Sequence, residues 1–289
     1  MNIFRLRSES LHIFNTREAY SLVAASMFMG LFVSLSFQGM IAEMEDNTLL
    51  DRLILILGEL AILVPALFVL NQRQIKFIQV LPLKKTSFLT ILVSILFVTG
   101  VIGLVAIFET MVTPYFPVPE FLQQIETDLF SGNRLDNIIL IVAACLVAPV
   151  AEEFLFRGIL HQSIFYHFDS ILPAMVIPTV IFALFHIAYL FYLPALIELV
   201  FLAMLLAWLM AKTANILIPI LVHSLFNLSA FSSIFSADLD EASTLADLGI
   251  VSIILSIVLC VGGWIYFKNM GVVVLDEVYV IPSAQEKLH

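Results

Sequence analysis

Apolar residues fall into eight long runs that are separated by short polar stretches. The runs cover roughly residues 19–42, 50–70, 86–108, 136–160, 174–191, 194–212, 215–235 and 248–267. Each is close to the ~20 residues that a helix needs to cross the hydrocarbon core of a bilayer. The pattern therefore predicts an all-α fold, a polytopic membrane helix bundle of about eight transmembrane helices. The polar stretch before the fourth run contains three prolines, which predicts an irregular segment with a short surface helix.

The composition excludes a water-soluble fold. Of the 289 residues, 61% are hydrophobic and 12% are charged, whereas soluble domains carry roughly 45–50% apolar and about 25% charged residues. Both cysteines, Cys145 and Cys260, lie inside apolar runs, so neither a disulfide framework nor a cysteine-rich zinc site is expected. We expect one membrane domain over residues 1–289, in contact with the lipid bilayer and without a nucleic-acid partner.

The distribution of basic residues predicts the orientation of the chain. With eight crossings and a cytoplasmic N-terminus, the cytoplasmic side holds eleven of the thirteen lysines and arginines, as the positive-inside rule requires. The two on the outer side are Arg52 and Arg134. We therefore expect both termini in the cytoplasm, with residues 1–18 and 269–289 as cytoplasmic tails.

The apolar runs contain few polar or charged side chains. A charged group at the centre of a membrane helix costs about 2.5–3.5 kcal/mol on insertion scales, so such residues are candidates for function. They are Glu59, Glu152, Glu153, Arg157, His186, Glu198, His223 and Asn227. No motif surrounds Glu59 or Glu198, which could line a cavity or bond helix to helix. His161 and His167 are expected at the surface of a cytoplasmic loop.

The fourth run ends in a pair of glutamates followed by an arginine. Glu153 and Arg157 are spaced i,i+4, so they can pair on one face of a helix. Glu152 points about 100° away from Glu153 and lacks that partner. An alternative interpretation is a helix end in which both glutamates are solvated and Arg157 extends to the membrane surface.

The fifth and seventh runs add two histidines and an amide. His186 is the one polar side chain for several residues in either direction, whereas His223 and Asn227 are spaced i,i+4 and project from one helix face. Each could serve only to hydrogen-bond neighbouring helices, as histidine and asparagine do in membranes.

Together these residues form a set that can hydrolyse an amide without serine or cysteine. Glu152 can take a proton from water while a histidine shares that duty or orients the water, and the second histidine and the amide can stabilise an oxyanion. The zinc-protease motif H-E-x-x-H, a rhomboid-type Ser/His dyad and a G-x-G-D signature are absent. The geometry requires His186 to lie at the depth of Glu152, which predicts that the fifth helix starts near Pro178, a residue type that favours the first turn.

These motifs resemble those of the CPBP family, which includes the type II CAAX prenyl endopeptidases and the Abi proteins. Its E-E-x-x-x-R motif matches Glu152, Glu153 and Arg157, its F-x-x-x-H motif matches Phe182 and His186, and its H-x-x-x-N motif matches His223 and Asn227. The resemblance covers residues 137–229, which we take as the catalytic core.

The resemblance implies a role for each matched residue. Glu152 would be the base that activates water with His186 beside it, His223 and Asn227 would stabilise the oxyanion, and Glu153 and Arg157 would shape the site. The family is commonly labelled metalloprotease, and Glu152, His186 and His223 could supply the three protein ligands of a catalytic zinc. The metal-free glutamate mechanism fits the residues equally well and is the one we prefer.

The leading hypothesis is therefore an intramembrane protease, a hydrolase that cleaves a lipidated or membrane-associated peptide or protein. The first alternative is a non-catalytic scaffold, such as an immunity protein or a regulator of a sensor. The second is a proton-coupled transporter, which the lack of an evident internal repeat disfavours. By resemblance, a eukaryotic protein of the endoplasmic reticulum would act on prenylated CAAX peptides, and a bacterial one of the plasma membrane, our expectation here, on a pheromone or leader peptide.

Overall fold

Long apolar helices make up most of the computed structural model, which describes residues 13–41, 48–130, 133–231 and 245–271. Within these residues we number ten helices in chain order. They are α1 (Thr16–Ile41), α2 (Thr48–Ala61), α3 (Val64–Gln72), α4 (Phe88–Val112), α5 (Glu120–Phe130), α6 (Arg134–Phe168), α7 (Ile171–Phe185), α8 (Leu193–Thr213), α9 (Leu217–Ala230) and α10 (Leu245–Asn269).

The helices confirm the predicted all-α membrane bundle. Six segments of the described chain are long and apolar enough to cross a membrane, namely α1, α2 with α3, α4, α6, α8 and α10, and α7 and α9 are shorter apolar helices. Large apolar side chains such as Phe28, Phe88 and Val251 are exposed on the outside of the bundle, where lipid is the matching solvent. The cytoplasmic position of the termini stays a prediction, and residues 1–12 and 272–289 of the tails lie outside the described part.

The second predicted span is broken into two helices. Pro65 lies in the first turn of α3, and Leu63 donates its N–H to the carbonyl of Leu60, three residues back. A proline has no N–H to continue the α-helical ladder, so the helix is interrupted there, and residues 48–72 together remain one apolar segment long enough to cross a membrane. The predicted surface helix is α5, and the guanidinium of Arg52 donates to the carbonyls of Asp128 and Leu129 near its end.

Two helices at one side of the bundle, α4 and α10, pack closely through glycines. A methyl group on Gly263 would come within 2.5 Å of the Phe97 ring, whereas nothing lies within 4 Å of the same position on Gly262. Small residues at such contacts let membrane helices approach each other.

The two adjacent glycines should respond differently to the same substitution. Gly263→Ala forces the buried Phe97 ring to move, and overpacking of this kind costs about 1–3 kcal/mol. Gly262→Ala adds a methyl group in open space and is expected to leave stability unchanged or slightly raised, since alanine favours helix over glycine. Thermal unfolding of the two variants in the same detergent measures the difference. Equal melting temperatures would contradict the close packing.

The hairpin of α6 and α7 is the part of the fold that positions the candidate site. Both helices are longer on the turn side than predicted: α6 continues to Phe168, and α7 begins at Ile171. Asp169, between them, adopts a left-handed conformation with φ 48°, which aspartate tolerates better than most residues. The prediction that the fifth helix starts near Pro178 is wrong, because Pro178 lies inside α7.

The longer hairpin still brings the predicted residues to one level. Glu152 and His186 lie seventeen residues before and after Asp169, so the two arms of the hairpin contain the same number of residues, and the side chains at their ends come within 4.0 Å of each other. The extra length also buries His161, which is 1% exposed, because this part of α6 packs against α1 and α7. The expected surface position of His161 is therefore wrong, whereas His167 is exposed.

Candidate active site

The two glutamates lie on a short α-helical segment of α6, with a π-helical stretch on either side. The stretches Ala143–Val147 and Phe154–Leu160 are π-helical, and Glu152 and Glu153 lie on the α-helical segment between them. Such π-bulges inside α-helices occur frequently at functional sites, since the extra residue per turn changes the direction of nearby side chains. Every residue from Ala151 to His161 is buried.

One backbone carbonyl of the first π-helical stretch loses its helical donor to a proline. Ala148 donates its N–H to the carbonyl of Ala143, five residues back. The same pattern would pair the carbonyl of Ala144 with the N–H of residue 149, but Pro149 has none. The side-chain amide of Asn227 supplies the missing donor, with its Nδ2 2.8 Å from the Ala144 carbonyl oxygen. Asn227 thereby fastens α9 to α6 next to the glutamate pair.

Removal of this amide should lower stability by a small but measurable amount. Asn227→Ala leaves the Ala144 carbonyl without a donor, and hydrogen bonds between membrane helices contribute about 0.6 kcal/mol on average, with a maximum near 1.7. In the double variant Pro149→Ala/Asn227→Ala a backbone N–H is available again, so the loss due to Asn227→Ala should shrink. Denaturation of the four proteins in mixed micelles measures this coupling. Additive effects would show that the carbonyl does not depend on Asn227.

Glu153 is the centre of a buried ionic network. Its Oε1 accepts from Nη1 of Arg157 at 2.8 Å and from Nδ1 of His223 at 3.0 Å. Arg157 also donates to the carbonyl of Ala203 on α8 at 2.8 Å and lies over the Phe182 ring. Glu153 and Arg157 are 0% and 1% exposed, so this is the i,i+4 pair that the spacing predicts. The network links α6, α8 and α9.

The two histidines present the same ring nitrogen to Glu152. Nδ1 of His186 lies 2.9 Å from the carbonyl oxygen of Phe182, and Nδ1 of His223 lies 3.0 Å from the carboxylate of Glu153. Both partners can only accept, so each Nδ1 carries a hydrogen. With a hydrogen on Nδ1, the Nε2 atom accepts a hydrogen bond when the ring is neutral and donates one when the ring is an imidazolium, and its orientation is fixed by the bond on the other side.

Glu152 lies between these two nitrogens. Its Oε1 is 4.0 Å from Nε2 of His186 and its Oε2 is 3.7 Å from Nε2 of His223. These distances are longer than a hydrogen bond, yet one water molecule can touch both the carboxylate and an imidazole. The side chain of His186 is 25% exposed, compared with 11% for Glu152 and 4% for His223. His186 is thus the most open side of the cluster.

A zinc ion does not fit this arrangement. Zinc ligands lie about 2.0–2.2 Å from the metal in a tetrahedron, so their donor atoms approach each other to roughly 3.3 Å. Among the residues that the structure describes, no group of three or more His, Cys, Asp or Glu side chains could hold a metal ion. We therefore assign no step of the reaction to a zinc ion held by Glu152, His186 and His223.

The remaining intramembrane acids fall in two places. The carboxylate of Glu59, on α2, is close enough to Glu152 for the two to repel each other, whereas Glu198 interacts with Glu109. The sequence leaves the roles of both residues open, and of the two it is Glu59 that lies near the candidate site. The aromatic neighbours of His186 carry no signal in the sequence, because a tyrosine or phenylalanine is ordinary in a membrane helix.

A bundle of apolar helices with a carboxylate and two histidines at its centre defines an integral membrane protein with a buried candidate hydrolytic site. Residues 134–229 match the family model described as Rce1-like, Type II CAAX prenyl endopeptidase Rce1-like, which confirms the CPBP resemblance. The match covers one third of the chain and contains all four predicted catalytic residues. The family is a family of proteases. No curated protein and no solved structure matches the chain.

Proposed function

We propose that the protein is an intramembrane endopeptidase that hydrolyses a peptide bond with water activated by Glu152. The observation that carries the proposal is that the two carboxylate oxygens of Glu152 each face the Nε2 atom of a different histidine. A carboxylate and two oriented imidazoles, at separations that one water molecule can bridge, form the set that general-base hydrolysis needs. The match of residues 134–229 to a protease family supports the same reaction.

In the first step Glu152 removes a proton from the water. The resulting hydroxide attacks the carbonyl carbon of the substrate, a C–O bond forms, and the carbonyl π electrons move to the oxygen, which becomes an oxyanion. His186 accepts a hydrogen bond from the water through Nε2 and so orients its lone pair toward the carbonyl. Its place at the more exposed side of the cluster suits a residue that meets the incoming peptide.

In the second step the tetrahedral intermediate collapses. The oxyanion re-forms a carbonyl group, the C–N bond breaks, and the proton held by Glu152 passes to the leaving amine. The products are a carboxylic acid and a free amine, and Glu152 returns to its ionised form. The same carboxyl group thus acts as base and then as acid, as microscopic reversibility allows.

We assign stabilisation of the oxyanion to His223 and Asn227. His223 is held through Nδ1 by the buried carboxylate of Glu153, the arrangement that supports an imidazolium in serine hydrolases, and a protonated Nε2 can donate to the oxyanion. Asn227 uses one amide hydrogen for Ala144 and has a second one to donate. Arg157 compensates the charge of Glu153 and holds it in place.

The substrate we propose is a membrane-associated or lipidated peptide, since the site lies among helices that contact lipid. A prenylated CAAX peptide and a peptide leader remain the two candidates, and the plasma membrane of a bacterium remains our expected location. The experiment compares the N- and C-termini of proteins in cells that express either the wild-type chain or Glu152→Ala at equal levels. Termini that appear only with the wild-type chain identify the substrate.

Each other outcome of this comparison rejects the proposal. If no terminus depends on Glu152 and the variant keeps the full cellular phenotype, the protein is a scaffold. If no terminus depends on Glu152 and solute flux into proteoliposomes follows a pH gradient, it is a transporter. A purified sample with an internally quenched farnesylated CAAX peptide then distinguishes prenyl-directed cleavage from cleavage of a leader peptide.

A further inference from the structure

The imidazole of His186 packs against two aromatic rings. The Phe182 ring lies with its centroid 4.4 Å from that of the imidazole, and the Tyr189 ring lies nearly parallel to it, with 6.2 Å between centroids and 11° between planes. Phe182 is buried and packs edge-to-face against Phe156 on α6. Its ring is therefore fixed by the core of the hairpin, whereas Tyr189 borders the more exposed side of the cluster.

The backbone at His186 gives the ring little support. α7 ends at Phe185, and His186 has φ −93° and ψ 57°, outside the helical region. The hydrogen bond from Nδ1 to the Phe182 carbonyl fixes one atom of the imidazole, but the ring can still tilt about that atom. A parallel aromatic face limits such a tilt, because offset stacking favours one relative orientation of two rings.

Tyr189 is itself held by a short turn. Its N–H donates to the carbonyl of His186 at 3.0 Å, as part of the 3₁₀ turn Ile187–Phe191. The turn is anchored outside the bundle core by the hydroxyl of Tyr192, which donates to the Phe116 carbonyl at 3.0 Å, and by the edge-to-face contact of Phe191 with Phe121 on α5. The carboxylates close enough to interact electrostatically with the Tyr189 hydroxyl are those of Glu126 and Glu198, and Glu152 is not among them.

We propose that Tyr189 is a positioning residue for His186 and acts through its ring rather than its hydroxyl. The proposal rests on the proposed function, because it assigns to Tyr189 the task of keeping Nε2 of His186 in reach of the water that Glu152 activates. An imidazole that loses this support spends part of its time turned away from the carboxylate. The rate of the chemical step then falls while binding of the peptide changes little.

The test compares Tyr189→Phe with Tyr189→Ala and Tyr189→Leu, with Tyr115→Ala as the control at a tyrosine that is 80% exposed. The probe is the quenched farnesylated CAAX peptide. We expect Tyr189→Phe and the control to keep kcat within about twofold, and the other two variants to lose about 10- to 100-fold in kcat with KM nearly unchanged, as misplacement of a reacting group does. If Tyr189→Ala does not fold, Tyr189→Leu decides the result.

A second readout does not depend on cleavage. NMR spectra are recorded of ¹⁵N-histidine-labelled protein in lipid nanodiscs. The signals that disappear in the His186→Gln variant are assigned to His186. We expect them to report the Nδ1–H tautomer in the wild-type chain and in Tyr189→Phe, and a mixture of tautomers in Tyr189→Leu. Wild-type kcat in Tyr189→Leu, or equal losses in Tyr189→Phe and Tyr189→Leu, would overturn the proposal. A wild-type chain that has the expected spectra but cleaves neither the farnesylated CAAX peptide nor any protein in the comparison of cellular termini would instead reject only the proteolytic function.

Discussion

Glu152→Gln is expected to lower the rate of peptide cleavage by about 10²- to 10⁴-fold, the range that a general base contributes. Glutamine keeps the size of the side chain and can still hydrogen-bond to water, but its amide cannot take up a proton near neutral pH. Binding of the peptide and folding of the bundle should stay the same, because the contacts of Glu152 with His186 and His223 are longer than hydrogen bonds. Cleavage of the quenched peptide by purified protein in lipid measures the rate.

The matched control is Glu198→Gln, which removes an intramembrane carboxylate at a place where its neighbour is Glu109. We expect this variant to cleave at nearly the wild-type rate. A folded Glu152→Gln protein that keeps more than about a tenth of the wild-type rate would reject Glu152 as the base, given the contribution expected of one. Equal losses in both variants would point to a general effect of membrane charge and not to a reaction centre.

Arg157→Met is expected to have the largest effect on stability, a loss of about 3–5 kcal/mol. The substitution preserves much of the apolar stem but leaves the carboxylate of Glu153 in a buried site without its compensating charge, and the carbonyl of Ala203 without a donor. Both groups are inaccessible to water, which makes the uncompensated charge costly. Denaturant titration in mixed micelles, followed by tryptophan fluorescence, measures the change.

The double variant Glu153→Gln/Arg157→Met tests the cause. Without the buried charge, most of the lost stability should return, since replacement of both partners of a buried ion pair is often nearly neutral. The amide oxygen of the introduced glutamine can still accept from Nδ1 of His223, so the histidine keeps its orientation but loses the carboxylate that supports its charged form. Cleavage should therefore stay low in a protein that is stable again. If the double variant is as unstable as Arg157→Met, the ion pair is not the source of the effect.

The number and approximate positions of the helices follow from the apolar runs of the sequence. The residues at which individual helices end do not. Each of the eight runs contains a helix, because a segment of some twenty apolar residues has no other way to satisfy its backbone inside lipid. The apolar pattern predicts an end of α6 near residue 160, because the polar residues His161, Gln162 and Ser163 are typical of the start of a loop. These polar side chains are largely buried in the structure, and packing between helices, which hydropathy does not contain, decided the boundary.

The spacing of residues along the sequence predicts only some of the contacts in the candidate site. The i,i+4 relation of Glu153 and Arg157 fixes their pairing and turns Glu152 away, so that much is contained in helix geometry. The predicted helix start at Pro178 is wrong, because a proline inside a membrane helix is tolerated when neighbouring groups satisfy the freed carbonyl. The hydrogen bond from Asn227 to the carbonyl of Ala144 depends on a π-helical turn, and no pattern of residues in the sequence predicts such a turn.

The equal arms of the α6–α7 hairpin restrict how its length can vary. One residue added between Glu152 and Asp169, or between Asp169 and His186, would move a side chain by about 1.5 Å along its helix and about 100° around it. The carboxylate and the imidazole would then face different neighbours. We therefore expect a single-residue insertion or deletion between residues 152 and 186 of this chain to disrupt the site, unless a second change in the hairpin restores the register.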